Sequence, residues 1–86
     1  MNIQEIKDEI SVINDEMLKL FIRHLELTLA AGEIKAADGK TLYDRKAEEK
    51  TIETAVANSP QHMQNYTIEF FRSLISLSKD FYNDNK

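Results

Sequence analysis

The chain has 86 residues with 11 basic and 15 acidic side chains, a formal charge of -4, two Gly, one Pro and no Cys. That composition excludes disulfides, thiolate catalysis and cysteine-bound metal. The acidic balance argues against a general nucleic-acid surface, where Lys and Arg must cluster to meet phosphate. One domain over residues 1–86 is expected, and alone it would bury only ~60% of its unfolded surface, so help from a partner chain is expected too. With no signal peptide or long apolar run, the expected location is the cytoplasm, with no membrane partner. Any anionic small molecule would need a local basic pocket.

Gly and Pro are scarce and β-branched alternation is missing, which predicts an all-α chain. From the N-terminus the apolar positions run Ile3, Ile6, Ile10, Ile13, Met17, Leu20, His24, Leu27, Ala31, Ile34, in alternating steps of three and four. This is a coiled-coil-like seam. The first helix should end near Ala37, before "DGKT", with Gly39 in a left-handed cap or turn conformation. Gly32 lies inside it and should cost ~1 kcal/mol relative to Ala. A helix of about 35 residues spans ~50 Å, whereas a compact chain of this length has a radius of gyration of ~12 Å. The helix outgrows its own domain, and a second copy lying along the seam would cover it, so a homodimer is expected.

The second helix is expected from about Asp44 to Asn58, with Ile52, Ala55 and Val56 inward and Glu48 one turn earlier on the same face. "NSPQ" breaks the chain, with Pro60 at or near the start of the third helix. That helix, about 61 to 83, carries two adjacent apolar stripes: Met63, Tyr66, Phe70, Leu74, Leu77, Phe81, and Ile68, Phe71, Ile75, Ser78, Tyr82. Burial on a wide face is expected, with the closing "NDNK" frayed.

Several polar groups fall on these apolar faces. His24 on the seam reads as a core residue with a satisfied hydrogen bond. Lys7 and Lys35 flank the seam, as Asn14, Phe21 and Thr28 do, and read as solvated lysines whose stems cover the core edge. Ser78 and Tyr82 read as packing residues with a hydroxyl partner. Together, however, His24, Lys35, Glu48, Ser78 and Tyr82 have the spacing to share one polar hole in a helical bundle, with Lys7 arriving from the other subunit. No HExxH, Gly-rich phosphate loop or Glu-x-x-His pair occurs, so neither a metal nor another cofactor is expected.

Three segments resemble the all-helical class of chorismate mutases. "MLKLFIRHLELTLAAGEIK" is similar to that family's first-helix run, with a Lys eleven positions after a basic residue; "GKTLYDRKAEE" resembles its second-helix opening; "SLSKDFYND" resembles its closing Ser-Arg-x-x-Gln segment. The resemblance covers nearly the whole chain and implies an intertwined homodimer of three-helix chains. It also implies site residues. Lys7 falls where the family has an Arg lent to the partner's site, His24 on a second Arg, and Lys35 on the Lys that meets the reacting ether oxygen. Asp44 frames the pocket, Glu48 orders the substrate hydroxyl, Ser78 is kept, and Tyr82 stands where the family has Gln. Ala47 takes the place of a third Arg. Shifting the register to put Arg23 in place of His24 would break both the spacing to Lys35 and the seam.

Chorismate to prephenate is a pericyclic rearrangement, which needs no nucleophile and no proton transfer. Catalysis comes from holding a dianion in its reactive shape and stabilising charge on the breaking ether oxygen. On this resemblance Lys35, Glu48 and Tyr82 are the catalytic set, and Lys7, His24, Asp44 and Ser78 bind a chorismate-like dicarboxylate. Arg grips a carboxylate through two parallel N–H bonds, while Lys and His do so less well. The resulting expectation is a divergent, weak isomerase of aromatic amino acid biosynthesis. The alternative is a non-catalytic helical dimer serving as an interaction or regulatory module, and a pyruvate-eliminating lyase using the same pocket is a third.

Overall fold

The computed structural model describes all 86 residues. It is all-helical: α1 spans Ile3–Ala37, α2 Arg45–Ala57 and α3 Gln64–Asn85, with a 3-10 turn at Gln61–Met63. The helix ends follow from local side-chain chemistry. Asn2 caps α1, its Oδ1 accepting from the Glu5 N–H at 2.9 Å while its amide donates to Glu5 Oε1 at 3.0 Å. At the other end the Lys40 N–H donates to the Lys35 carbonyl at 2.8 Å and the Gly39 N–H to that of Ala36 at 3.0 Å. This paired closure requires a left-handed residue, and Gly39 supplies it with φ of 70°. The α2–α3 corner is pinned by Ser59, whose Oγ donates to the Ala55 carbonyl at 2.9 Å and lies 2.7 Å from Thr67 Oγ1.

α3 packs against both α1 and α2, which do not contact each other. The molecule measures 54 × 27 × 15 Å with a radius of gyration of 15.8 Å, well above the ~12 Å of a compact chain this long. α1 accounts for the excess. Residues 1–20 are all exposed, and burial on α1 begins at Phe21 and reaches Thr28 and Gly32. The seam residues Ile3, Ile6, Ile10, Ile13, Met17, Leu20, Leu27 and Ile34 are between 40% and 70% exposed, so nothing within one chain covers them. His24 and Ala31, which share that seam in the sequence, are half-buried instead. No helix is long and apolar enough to cross a membrane.

On α2 the inward residues are the expected ones, Glu48, Ile52, Ala55 and Val56, all half-buried. The wide burial expected of α3 is only half realised. Its Ile68, Phe71, Ile75, Ser78, Tyr82 stripe is covered to various degrees, whereas Met63, Tyr66, Phe70 and Leu77 are about half exposed or more. α1 gives cover only between Phe21 and Gly32, and α2 has just 13 residues, so the stripe from Met63 to Phe81 is covered only at Leu74 and Phe81. The C-terminus also departs from expectation. α3 continues through "NDN", with Asn85 Nδ2 donating to the Phe81 carbonyl at 2.8 Å.

Gly32 has a steric reason to lie inside a helix. A Cβ at this position would sit 2.4 Å from Tyr82 Cε2 and 2.7 Å from Cδ2, because the phenol ring lies flat on the α1 backbone and donates its hydroxyl to the Gly32 carbonyl at 3.3 Å. Gly32→Ala is therefore expected to destabilise the fold by about 1–3 kcal/mol through overpacking, although Ala is the better helix former by ~1 kcal/mol. Urea unfolding at fixed chain concentration measures this. A variant more stable than the parent would mean that the ring moves aside freely.

Candidate functional site

The seven polar residues singled out from the sequence fall into separate groups within one chain. His24 and Ser78 meet directly. Ser78, fully buried on α3, places its Oγ 3.3 Å from His24 Nδ1, and Thr28 Oγ1, one turn along α1, lies 3.5 Å from the same nitrogen. Two hydroxyls thus converge on one ring nitrogen, which suits an acceptor Nδ1 with the proton on Nε2. One turn after Ser78, Tyr82 is held on Gly32. The helix phase keeps Arg23 outside, largely exposed and 3.5 Å from Glu26.

Glu48 belongs to a second group, on α2. Its half-buried carboxylate pairs with Lys79 of α3. Asp44 is the N-cap of α2, with Oδ1 accepting from the Ala47 N–H at 2.8 Å. This accounts for one acid of "LYDRKAEEK" by helix capping, and a second, Glu49, pairs with Arg45 at 3.1 Å along the helix surface. Lys35, in the last turn of α1, and Lys7, on its projecting first half, are both exposed. One chain therefore brings together His24, Ser78 and Tyr82 along the α1–α3 contact and sets Glu48 apart on the α2–α3 side. The two lysines stand free of both groups.

Lys79 escaped sequence reasoning. It follows Ser78 in "SLSKDF", on the Arg of the Ser-Arg-x-x-Gln segment, but nothing in the spacing marks its pairing with an acid thirty-one positions earlier. Two shallow hollows meet at this residue. One is lined by Arg45, Glu48, Ile52, Arg72 and Ile75 with Lys79, and the other by Lys40, Tyr43, Tyr82 and Lys86 with Lys79. The second holds three lysines and no acid, whereas in the first Glu48 and Glu49 offset two of the three cations.

The sequence model described as Chorismate mutase type II matches residues 6–82. The chain belongs to the chorismate mutase type II family. No curated protein and no solved structure matches it significantly. All seven candidate positions, and Lys79, lie inside the matched span, and the three-helix architecture agrees with this all-helical family.

Asp44 separates a structural contribution from a functional one. Asp44→Ala is expected to lower stability by about 0.5–2 kcal/mol through loss of the cap, while Asp44→Ser and Asp44→Asn keep most of it. Denaturant midpoints of the three variants provide the check. Equal midpoints would show that the cap is dispensable and leave the residue to ligand contact alone.

Proposed function

We propose that this protein is a chorismate mutase that converts chorismate to prephenate as an intertwined homodimer. The family match over residues 6–82 carries the reading. The exposed seam supports the dimer, because a second copy laid along Ile3 to Ile34 removes eight large apolar side chains from water, each worth about 1.5–3 kcal/mol when fully buried. In that arrangement the projecting half of α1 carries Lys7 to the partner's site.

The reaction breaks the ether C–O bond of the substrate as a new C–C bond forms, with no proton moved. The protein's task is to hold two carboxylates and the ether oxygen in the folded geometry of the transition state. Lys35 meets the ether oxygen, where negative charge grows, and an ammonium there favours the transition state over the ground state. Glu48 accepts from the substrate hydroxyl. His24, its Nδ1 engaged by Ser78 and Thr28, presents Nε2–H to a carboxylate in place of a guanidinium. The Tyr82 phenol, bonded to the Gly32 carbonyl, joins the site by exchanging that bond for one to substrate. Weak turnover is expected, since a fork of two N–H bonds is replaced by single contacts.

Two measurements test this. Prephenate formation by the purified protein is the first, and Lys35→Ala is expected to abolish it through kcat with the dimer intact. Turnover unchanged in that variant would mean that the residue mapping is wrong. Light scattering is the second, with an expected mass of about twice the 10.0 kDa chain. Ile13→Asp should dissociate and unfold the protein together, because an unpaired carboxylate buried in the seam is heavily penalised. A folded dimer that neither makes prephenate nor binds a bicyclic dicarboxylate mimic of the transition state would be a non-catalytic interaction module instead.

A further inference from the structure

We infer that Lys79 is a substrate-binding residue of this site, a cation held beside Glu48 where it can meet a substrate carboxylate. The inference rests on the chorismate reading above. Glu48 poses an electrostatic difficulty for that reading. A half-buried carboxylate beside a dianion repels it, and in a partly desolvated site the repulsion is several-fold stronger than in water. The structure holds Glu48 in an ion pair with Lys79, which cancels the charge while leaving a carboxylate oxygen for a hydroxyl. Arg45 and Arg72 line the same hollow, yet Arg45 already reaches Glu49 at 3.1 Å.

Three further observations fit Lys79 to a ligand-facing role. It is the one residue that lines both hollows. Its side chain is 43% exposed against 23% for Glu48, which places the acid deeper and the ammonium toward solvent. An ammonium also has three donors, and the pair with Glu48 uses one, leaving two for a carboxylate. The Tyr43 ring, with its centroid 6.0 Å from Nζ, helps to fix the long side chain. Ala47, by contrast, borders a different hollow beside Thr51 and Phe71. The cation paired with Glu48 therefore comes from α3.

The test is calorimetric titration of the full-length protein with a bicyclic dicarboxylate transition-state mimic, alongside prephenate kinetics. Lys79→Met is expected to weaken binding about tenfold or more, the low end for losing a partly solvated charge contact. Lys79→Arg should retain most of the affinity. Adding Glu48→Gln to Lys79→Met should recover part of the binding, since no unneutralised carboxylate then faces the dianion. Lys46→Met, which removes the same charge from the exposed start of α2, serves as the control and is expected to bind as the parent does. A merely structural Lys79 would shift the melting temperature and leave affinity alone, and that result overturns the inference. So does equal binding by the parent and Lys79→Met, while leaving the mutase reading in place. If the parent neither binds the mimic nor forms prephenate, the mutase reading fails and the inference fails with it. Should Lys79→Met lose helicity by circular dichroism, Lys79→Gln read by the same titration decides between these outcomes.

Discussion

The first helix is longer than the two that follow can cover, and most of the structure answers to that mismatch. α1 has 35 residues, and only the stretch from Phe21 onward meets α3. The chain consequently has almost no interior. Four residues are buried, Thr28, Gly32, Ile75 and Ser78, and Ile75 is the only large apolar one among them. Folding free energy scales with apolar surface removed from water, so most of this chain's apolar potential is left unused by intrachain packing. It resides in the α1 seam and in the outer stripe of α3, two surfaces of complementary character on one molecule.

Small and polar residues dominate where α1 does meet α3, and the reason is distance. Gly32 has no side chain and Ser78 a short one, so the helices approach closely enough for the Tyr82 ring to lie on the α1 backbone and for a serine hydroxyl to reach an imidazole. Close approach leaves little room for buried aliphatic side chains. It also means that polar atoms must find partners within the contact, and they do: every buried side-chain nitrogen and oxygen in the chain is hydrogen-bonded. Of the residues that make this contact, His24, Ser78 and Tyr82 are also ones that the resemblance assigns to the pocket. On the proposed reading, packing and ligand contact draw on one set of side chains, and a ligand must replace or share the intramolecular partner that each polar group already has.

Much of this was legible in the sequence. The period of three and four from Ile3 to Ile34 marks α1 and its uncovered face, "DGKT" and "NSPQ" mark the two corners, and Gly39 takes the left-handed conformation that its position calls for. These features are local, set by periodicity and capping chemistry. What stayed hidden depends on which helix lies beside which. Gly32 reads as a propensity defect until Tyr82, fifty positions later, is seen packed on it. The stripe from Met63 looks as apolar as the one from Ile68, and only the poorer cover at Met63, Tyr66, Phe70 and Leu77 separates them. Asp44 matches both an N-cap and a pocket position, so sequence alone does not divide its roles. Lys79 stands on the Arg of the Ser-Arg-x-x-Gln segment, but its pairing with Glu48 stayed hidden, because an ion pair between two helices leaves no spacing rule behind.

A pericyclic reaction relaxes the demand on individual residues in a way that acid–base or nucleophilic chemistry does not. No side chain forms or breaks a bond, so none is required by chemical identity. The requirement is that positive charge and donors surround a dianion with the right sum and shape. Arginine meets it best because its fork fixes geometry as well as charge, but the electrostatic part is transferable between helices, provided that the new cation reaches the same volume. This makes the residues at Ala47 and His24 less decisive than a position-by-position comparison with the family suggests. The charge around Glu48 is the more informative quantity. Lys79 on α3 pairs with that acid, so on the proposed reading Glu48 would not face substrate as a bare anion, and the geometric precision lost with a guanidinium is expected to appear as slower turnover rather than as a dead site.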